Sequence, residues 1–114
     1  IMDNPSIQRV EDPRDAIASA DFIYTDTWID MQYFNDPTKH AEKTALVAQM
    51  QRFQINSDLV AGHELKIMHD MPIHNDYEIT EVAVRDPRSI IFDQAANRLH
   101  AQKGLLYWLL VANT

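Results

Sequence analysis

Cysteine is absent from the 114 residues, which excludes a disulfide framework and any thiolate metal site and leaves packing to hold the chain together. Glycine occurs only at Gly62 and Gly104, so there is no glycine-rich loop to cradle a phosphate, and no Walker-type lysine accompanies one. No apolar run approaches the roughly 20 residues of a membrane helix, and no signal peptide is present. The expectation is a cytoplasmic protein without a membrane partner. Basic charge is scarce: 10 Lys and Arg against 17 Asp and Glu give a net charge of −7. The cations are scattered, which argues against nucleic acid as a partner. Methionine is missing from position 1, and the chain starts almost on a strand-like segment with few glycines for turns. That pattern leads us to expect the C-terminal part of something longer.

What is present suits one domain with a core. Apolar residues make up 46% of the chain, ordinary for a globular fold and too many for disorder. "SIQRV" reads as a short strand. "EDPRDAIASAD" reads as a helix with Asp12 at the N-cap, Pro13 at the first helical position and Asp15 in the first turn. "DFIYTD" is a buried strand by its aromatic and β-branched content, and "TWIDMQYFND" a loop. "DPTKHAEKTALVAQMQRFQI" places Ala41, Ala45, Ala48 and Met50 or Phe53 on one helix face. "SDLVAG" is a helical turn closed by Gly62. "ELKIM" and "SIIFDQ" are further strands. "DQAANRLHAQKGLLYWLLVAN" is the longest helix, with Ala95, Leu99, Leu106 and Leu109 or Leu110 expected inward. Short strands alternating with helices spell an α/β, doubly wound, mostly parallel sheet with helices on both faces. In such sheets ligands bind at the carboxyl ends of the strands. "YTDTWIDMQ", "HDMPIH" and "DQAANR" would all open on that edge.

Each candidate there has a bland alternative. Asp26 either caps a turn after "FIYT" or aims a carboxylate at a ligand amine, and Trp28 is read as packing. His69 and His74 miss the helical metal spacing and have no third ligand nearby, so no metal and no cofactor is expected. The default for His69 is a strand-end histidine that satisfies backbone carbonyls. Arg98, read as lying in the first turn or so of the last helix, is either a solvated surface arginine or half of an anion site. For the second, orphan N–H groups, the helix dipole and a guanidinium fork would act together. His100, Arg85 and Arg88 carry no comparable argument. The residues alone support a crevice with carboxylates, a histidine and an arginine, and no reaction.

Taken together, "YTDTWIDMQ", "HDMPIH" and "SIIFDQAANRLHAQKGLL" resemble the C-terminal half of ornithine carbamoyltransferases. That pattern runs D-x-W, an S-M-G loop, H-C-L-P, and F-D-x-A-x-N-R-x-H-x-Q. The resemblance implies that residues 1–114 are a partial amino-acid-binding domain. The carbamoyl-phosphate domain with its S-x-R-T-R loop would lie elsewhere. It also implies transfer of a carbamoyl group from carbamoyl phosphate to the amine of ornithine or a related amino acid, a cytoplasmic homotrimer, and a place in arginine biosynthesis. By the same resemblance Asp26 would bind the substrate α-amino group, and Asp30 and Met31 would stand at the S-M pair. His69, Asp70 and Met71 would stand at His-Cys-Leu, with Asp70 and Met71 at the reacting amine, and Arg98 would contact carbamoyl phosphate. Two departures put carboxylates, Asp30 and Asp70, where that family keeps neutral groups. They leave open a different amine acceptor, or a non-catalytic α/β binding module.

Overall fold

The computed structural model of the chain describes residues 4–30, 33 and 35–112. Two strands, β1 (Phe22–Thr25) and β2 (Lys66–His69), run parallel, with Phe22 opposite Lys66 and Thr25 opposite His69. On the other edge of β2 the Ile67 N–H donates to the Arg88 carbonyl at 3.1 Å, and the Ile90 N–H donates to the Ile67 carbonyl at 3.0 Å. A single parallel bridge, Ile67 to Ser89, results. β2 is therefore the middle of the array, and Ile67 has no exposed surface.

Parallel neighbours need a crossover. Here it contains a 3-10 turn (Pro37–Lys39), α2 (His40–Met50), a second 3-10 turn (Gln51–Phe53) and α3 (Ser57–Val60). α1 (Pro13–Ile17) precedes β1, α4 (Glu81–Val84) follows β2, and α5 (Ile91–Tyr107) ends in a π-helical turn, Trp108–Ala112. The α/β class with a parallel sheet is as expected from the sequence.

Side-chain caps start the short helices. Asp12 accepts from the Arg14 N–H at 2.9 Å ahead of Pro13, Asn56 from the Leu59 N–H at 2.9 Å, and Thr80 from the Ala83 N–H at 3.3 Å. Each gives an orphan donor of a first turn its partner. After α3 the chain turns at Gly62 with φ 75°, the left-handed conformation glycine adopts freely. Ile17, Val60, Ile67, Ala83 and Ile91 then meet in one apolar core.

Several expectations fail for identifiable reasons. "SIQRV" forms no strand: residues 6–10 carry no regular structure, and Ile7 and Val10 are exposed. A strand needs a neighbour, and among the described residues none pairs with this segment. "SIIFDQ" contributes only the Ser89 bridge before Ile90 turns the chain and the Gln94 N–H donates to the Ile90 carbonyl at 2.8 Å, opening α5. Burial of Ile91 at the helix start overrides the β-propensity of the run. Ala41, Ala45 and Ala48 are exposed, with Met50 and Phe53 half-buried. On α5, Ala95, Leu99 and Leu106 are exposed, as are Leu109 and Leu110 in the π-helical turn that follows, Leu110 with 71% of its surface exposed. α5 buries only Ile91, and the described residues offer its later turns no layer to pack against.

Arg88 holds the entry to β2. Its Nη1 donates to the Val60 and His63 carbonyls at 2.7 Å each, while Nε and Nη2 grip Asp86 at 2.8 and 2.7 Å. Those hydrogen bonds hold the Asp86 carboxyl down at about 2, against an ordinary 3.8. A folded-state value below the unfolded one stabilises the fold above the unfolded value, and the gain disappears as pH falls through the folded value. Asp86→Asn is expected to cost about 2 kcal/mol near neutral pH and progressively less as pH drops from about 4 to about 2. Urea titrations of both proteins across that range check this; a cost independent of pH would contradict it.

Candidate functional site

At the carboxyl end of β2 the chain passes through His69, Asp70 and Met71 into a cis Met71–Pro72 peptide. Met71 has φ 61°, a left-handed conformation that costs a non-glycine residue about 1–3 kcal/mol. Its N–H donates to His69 Nδ1 at 2.8 Å. An N–H can only donate, so Nδ1 is the acceptor of the ring and the proton sits on Nε2. Nε2 lies 3.1 Å from Glu78 Oε1, and both side chains are fully buried. Glu78 Oε1 also accepts from the His74 N–H at 2.6 Å. The turn that delivers Glu78 is held from below by Gln54, whose Nε2 donates to the Asp76 and Tyr77 carbonyls. Asp70 Oδ1 stands 3.3 Å from His69 Nδ1; since the Met71 N–H already uses that nitrogen as acceptor, the two lie side by side without a second hydrogen bond.

The other wall is the start of α5. His69, Asp70, Met71, Gln94, Asn97, Arg98 and His100 are among the residues lining an open cleft of about 910 Å³. Gln94, Asn97, Arg98 and Ala101 follow the i, i+3, i+4, i+7 spacing of one helix face. Arg98 lies about two turns into α5, not in its first turn as the sequence suggested. A helical side chain leans toward the helix N-terminus, so its reach is toward the Gln94 turn. Arg9, Arg14, Arg52, Arg85 and Arg88 each pair with a carboxylate. The Arg98 guanidinium has no such partner among the described residues, and a cation beside that helix face is suited to an anion.

The structure thus gathers His69, Asp70, Met71 and Arg98, and separates the other candidates. Asp26 is exposed; its Oδ1 accepts from the Thr27 N–H at 2.6 Å, the turn-capping alternative. It lines a neighbouring hollow of about 540 Å³ with Trp28, Thr25 and Met50. The pairing of Thr25 with His69 still brings Asp26 and Asp70 out of adjacent strands at the same level. Asp30 lines neither hollow; its carbonyl accepts from the Tyr33 N–H at 2.9 Å. The Tyr33 hydroxyl is pushed up mainly by its hydrogen bond to Glu42, with a smaller push from the Asp30 charge. Met31 lies outside the described residues. His69 does not serve backbone carbonyls, as expected by default: its partners are a backbone N–H and a carboxylate.

Glu78, Gln94, Asn97 and His100 were missed by sequence reasoning. Glu78 sits beside apolar Ile79, and only the fold reveals that both face inward. Gln94 and Asn97 had a usable signal, their spacing from Arg98 on one helix. Among the described residues no cluster of His, Asp and Glu could hold a metal ion, and no helix is long and apolar enough to cross a membrane.

Comparison with known proteins gives this α/β fold a family. Residues 2–109 match the family described as aspartate/ornithine carbamoyltransferase, Asp/Orn binding domain, and the chain belongs to that family. It is 42% identical over 103 residues to the ornithine carbamoyltransferase of Mycolicibacterium gilvum (strain PYR-GCK), covering 89% of this chain and 32% of that protein. With the ornithine carbamoyltransferase of Rhodococcus opacus (strain B4) it shares 40% identity over 111 residues, covering 96% of this chain and 33% of that one. The crystal structure of ornithine carbamoyltransferase from Thermus thermophilus superposes with a TM-score of 0.71 at 36% identity, over 89% of this chain and 31% of that one. The chain spans about a third of the length of the curated relatives it matches.

Glu78→Leu removes the acceptor for His69 Nε2–H and for the His74 N–H at once. It is expected to cost about 2–4 kcal/mol, because buried donors left unpaired cost about 1–3 kcal/mol each. Urea unfolding measures it, and a loss below about 1 kcal/mol would show that the pair does not hold the loop.

Proposed function

We propose that this chain is the amine-binding half of an enzyme that transfers the carbamoyl group of carbamoyl phosphate to the amine of ornithine or a related amino acid. The observation that carries the reading is the unpaired Arg98 facing the Asp70–Met71 loop across one cleft. In this reaction a neutral amine attacks the carbamoyl carbon, a C–N bond forms, the C–O bond to phosphate breaks, and the amine loses a proton. Positioning and charge stabilisation suffice, without a covalent intermediate. Arg98 would hold the departing phosphate, the carbonyls of Asp70 and Met71 would face the amine, and Asp26 would take the substrate α-amino group. His69 acts from behind the loop. The carbamoyl-phosphate domain is supplied by sequence outside residues 1–114. The outward apolar face of α5 supports this, since exposed patches of that kind mark surfaces that another element covers. A cytoplasmic homotrimer serving arginine biosynthesis completes the proposal.

One observation favours a second acceptor. Asp70 lines the same cleft as Arg98, and a carboxylate beside an attacking amine favours its protonated, non-nucleophilic form. An acceptor with a second cationic group would satisfy that charge. Asp30 lies outside the cleft, so this reading rests on Asp70.

In the complete protein, Arg98→Ala is expected to lower kcat/KM for carbamoyl phosphate by about 10- to 100-fold, the loss of a charge-assisted contact, and to leave the amine KM nearly unchanged. Steady-state kinetics with equal effects on both substrates would count against the assignment. Asp70→Cys is expected to shift preference toward ornithine in a panel with lysine and putrescine. An unchanged ranking would remove the second acceptor, and no turnover with any amine in the unaltered complete protein would indicate a binding module.

A further inference from the structure

The cleft has two walls from distant parts of the chain, and one side chain joins them. Gln94 Oε1 accepts from the His69 N–H at 3.2 Å in a half-buried position. The donor is the last residue of β2, at the foot of the Asp70–Met71 loop. The acceptor lies on α5 four residues before Arg98, on the same helix face, and both line the cleft. Below Ile91, α5 buries no side chain of its own, so little else determines how its second and third turns sit against the loop. The Ile90 N–H bond to β2 fixes where the helix begins, but rotation and tilt about that point need a second tether. Gln94 supplies it one turn from Arg98.

We propose that Gln94 is a positioning residue: its hydrogen bond to the end of β2 sets the distance and angle between the Arg98 guanidinium and the Asp70–Met71 loop. The inference rests on the reading of Arg98 as an anion-binding group. It adds that the group's affinity depends on an uncharged neighbour that touches no ligand. Removing the acceptor loosens the wall that carries Arg98, and the guanidinium must then be ordered when the anion binds, which weakens binding. The hydrogen bond itself requires only an oxygen at this reach, which a glutamate also offers, but a carboxylate four residues before Arg98 would compete with the anion for the guanidinium.

The test uses the chain itself with inorganic phosphate as probe, followed through the Arg98 Nε–H resonance in a titration, together with amide exchange at His69. Gln94→Met keeps the volume and removes the acceptor; it is expected to weaken phosphate binding by about 3- to 10-fold. It is also expected to speed exchange of the His69 N–H, with the thermal midpoint little changed. Gln94→Glu, which keeps the oxygen, is expected to restore the slow His69 N–H exchange, while its carboxylate four residues before Arg98 keeps phosphate binding weak. Arg98→Ala, as control, should abolish the binding. Binding unaffected by Arg98→Ala would overturn the anion reading and this inference with it. Binding lost in Arg98→Ala but unchanged in Gln94→Met would overturn the positioning role alone. Fast His69 N–H exchange in Gln94→Met that Gln94→Glu does not slow would also overturn it, because the oxygen acceptor would then not be what matters.

Discussion

A single carboxylate with no exposed surface organises the ligand edge of this domain. Glu78 Oε1 takes two donors, His69 Nε2–H and the His74 N–H, from the two ends of the loop that leaves β2. Those donors offset the burial of Oε1, while Oε2 has no hydrogen-bond partner among the described residues. The consequence runs through the imidazole: with its proton committed to Glu78, Nδ1 is left as an acceptor, and the Met71 N–H uses it. That bond supports the left-handed backbone at Met71. Asp70 and Met71 thus reach the cleft in a conformation that the buried pair imposes from behind.

The opposite wall is built with less. α5 is anchored by the burial of Ile91, by the Ile90 N–H bond to β2 and by Gln94 on the His69 N–H. Beyond those points it is exposed, with its apolar side chains outward through Val111. A helix so lightly held carries the one described arginine without a carboxylate partner, and that combination suits a site completed by groups from outside the chain. It also accords with a chain that spans about a third of the length of its curated relatives. The negative net charge makes a free guanidinium at a cleft the more conspicuous, since seventeen acidic residues were available to pair with it.

Much of this could be read from sequence where the signal is local. Asp12 with Pro13, the helical turn before Gly62, strands within "DFIYTD" and "ELKIM", and the placing of "HDMPIH" at a strand's carboxyl end all depend on neighbours in the chain, and the structure shows them, although Phe22 and Tyr24 are exposed where a buried strand was expected. The misreadings share a different cause. "SIQRV" and "SIIF" have β-propensity, but a strand exists only against a partner, and the ladder extends to just one residue of the second. The apolar stripe of α5 implied an inward face, and periodicity cannot say whether the layer it would pack on is present. The site was half legible for the same reason. Asp70 and Arg98 stood in recognisable motifs, whereas the partnership of His69 with Glu78, nine residues on, depends on a loop closing back upon itself. Gln94 reaches β2 from twenty-five residues away, a contact no local pattern encodes.

A buried carboxylate, acting through one imidazole tautomer, shapes the loop facing Arg98. The most direct measurement is the protonation of the two His69 ring nitrogens, read from long-range proton–nitrogen NMR correlations of the labelled chain. A proton on Nε2 and none on Nδ1 is expected, with the Met71 N–H showing a hydrogen-bond coupling to Nδ1. A His69 ring carrying its single proton on Nδ1 would leave the Met71 N–H without its acceptor and Glu78 with the His74 N–H as its one donor, and would contradict this.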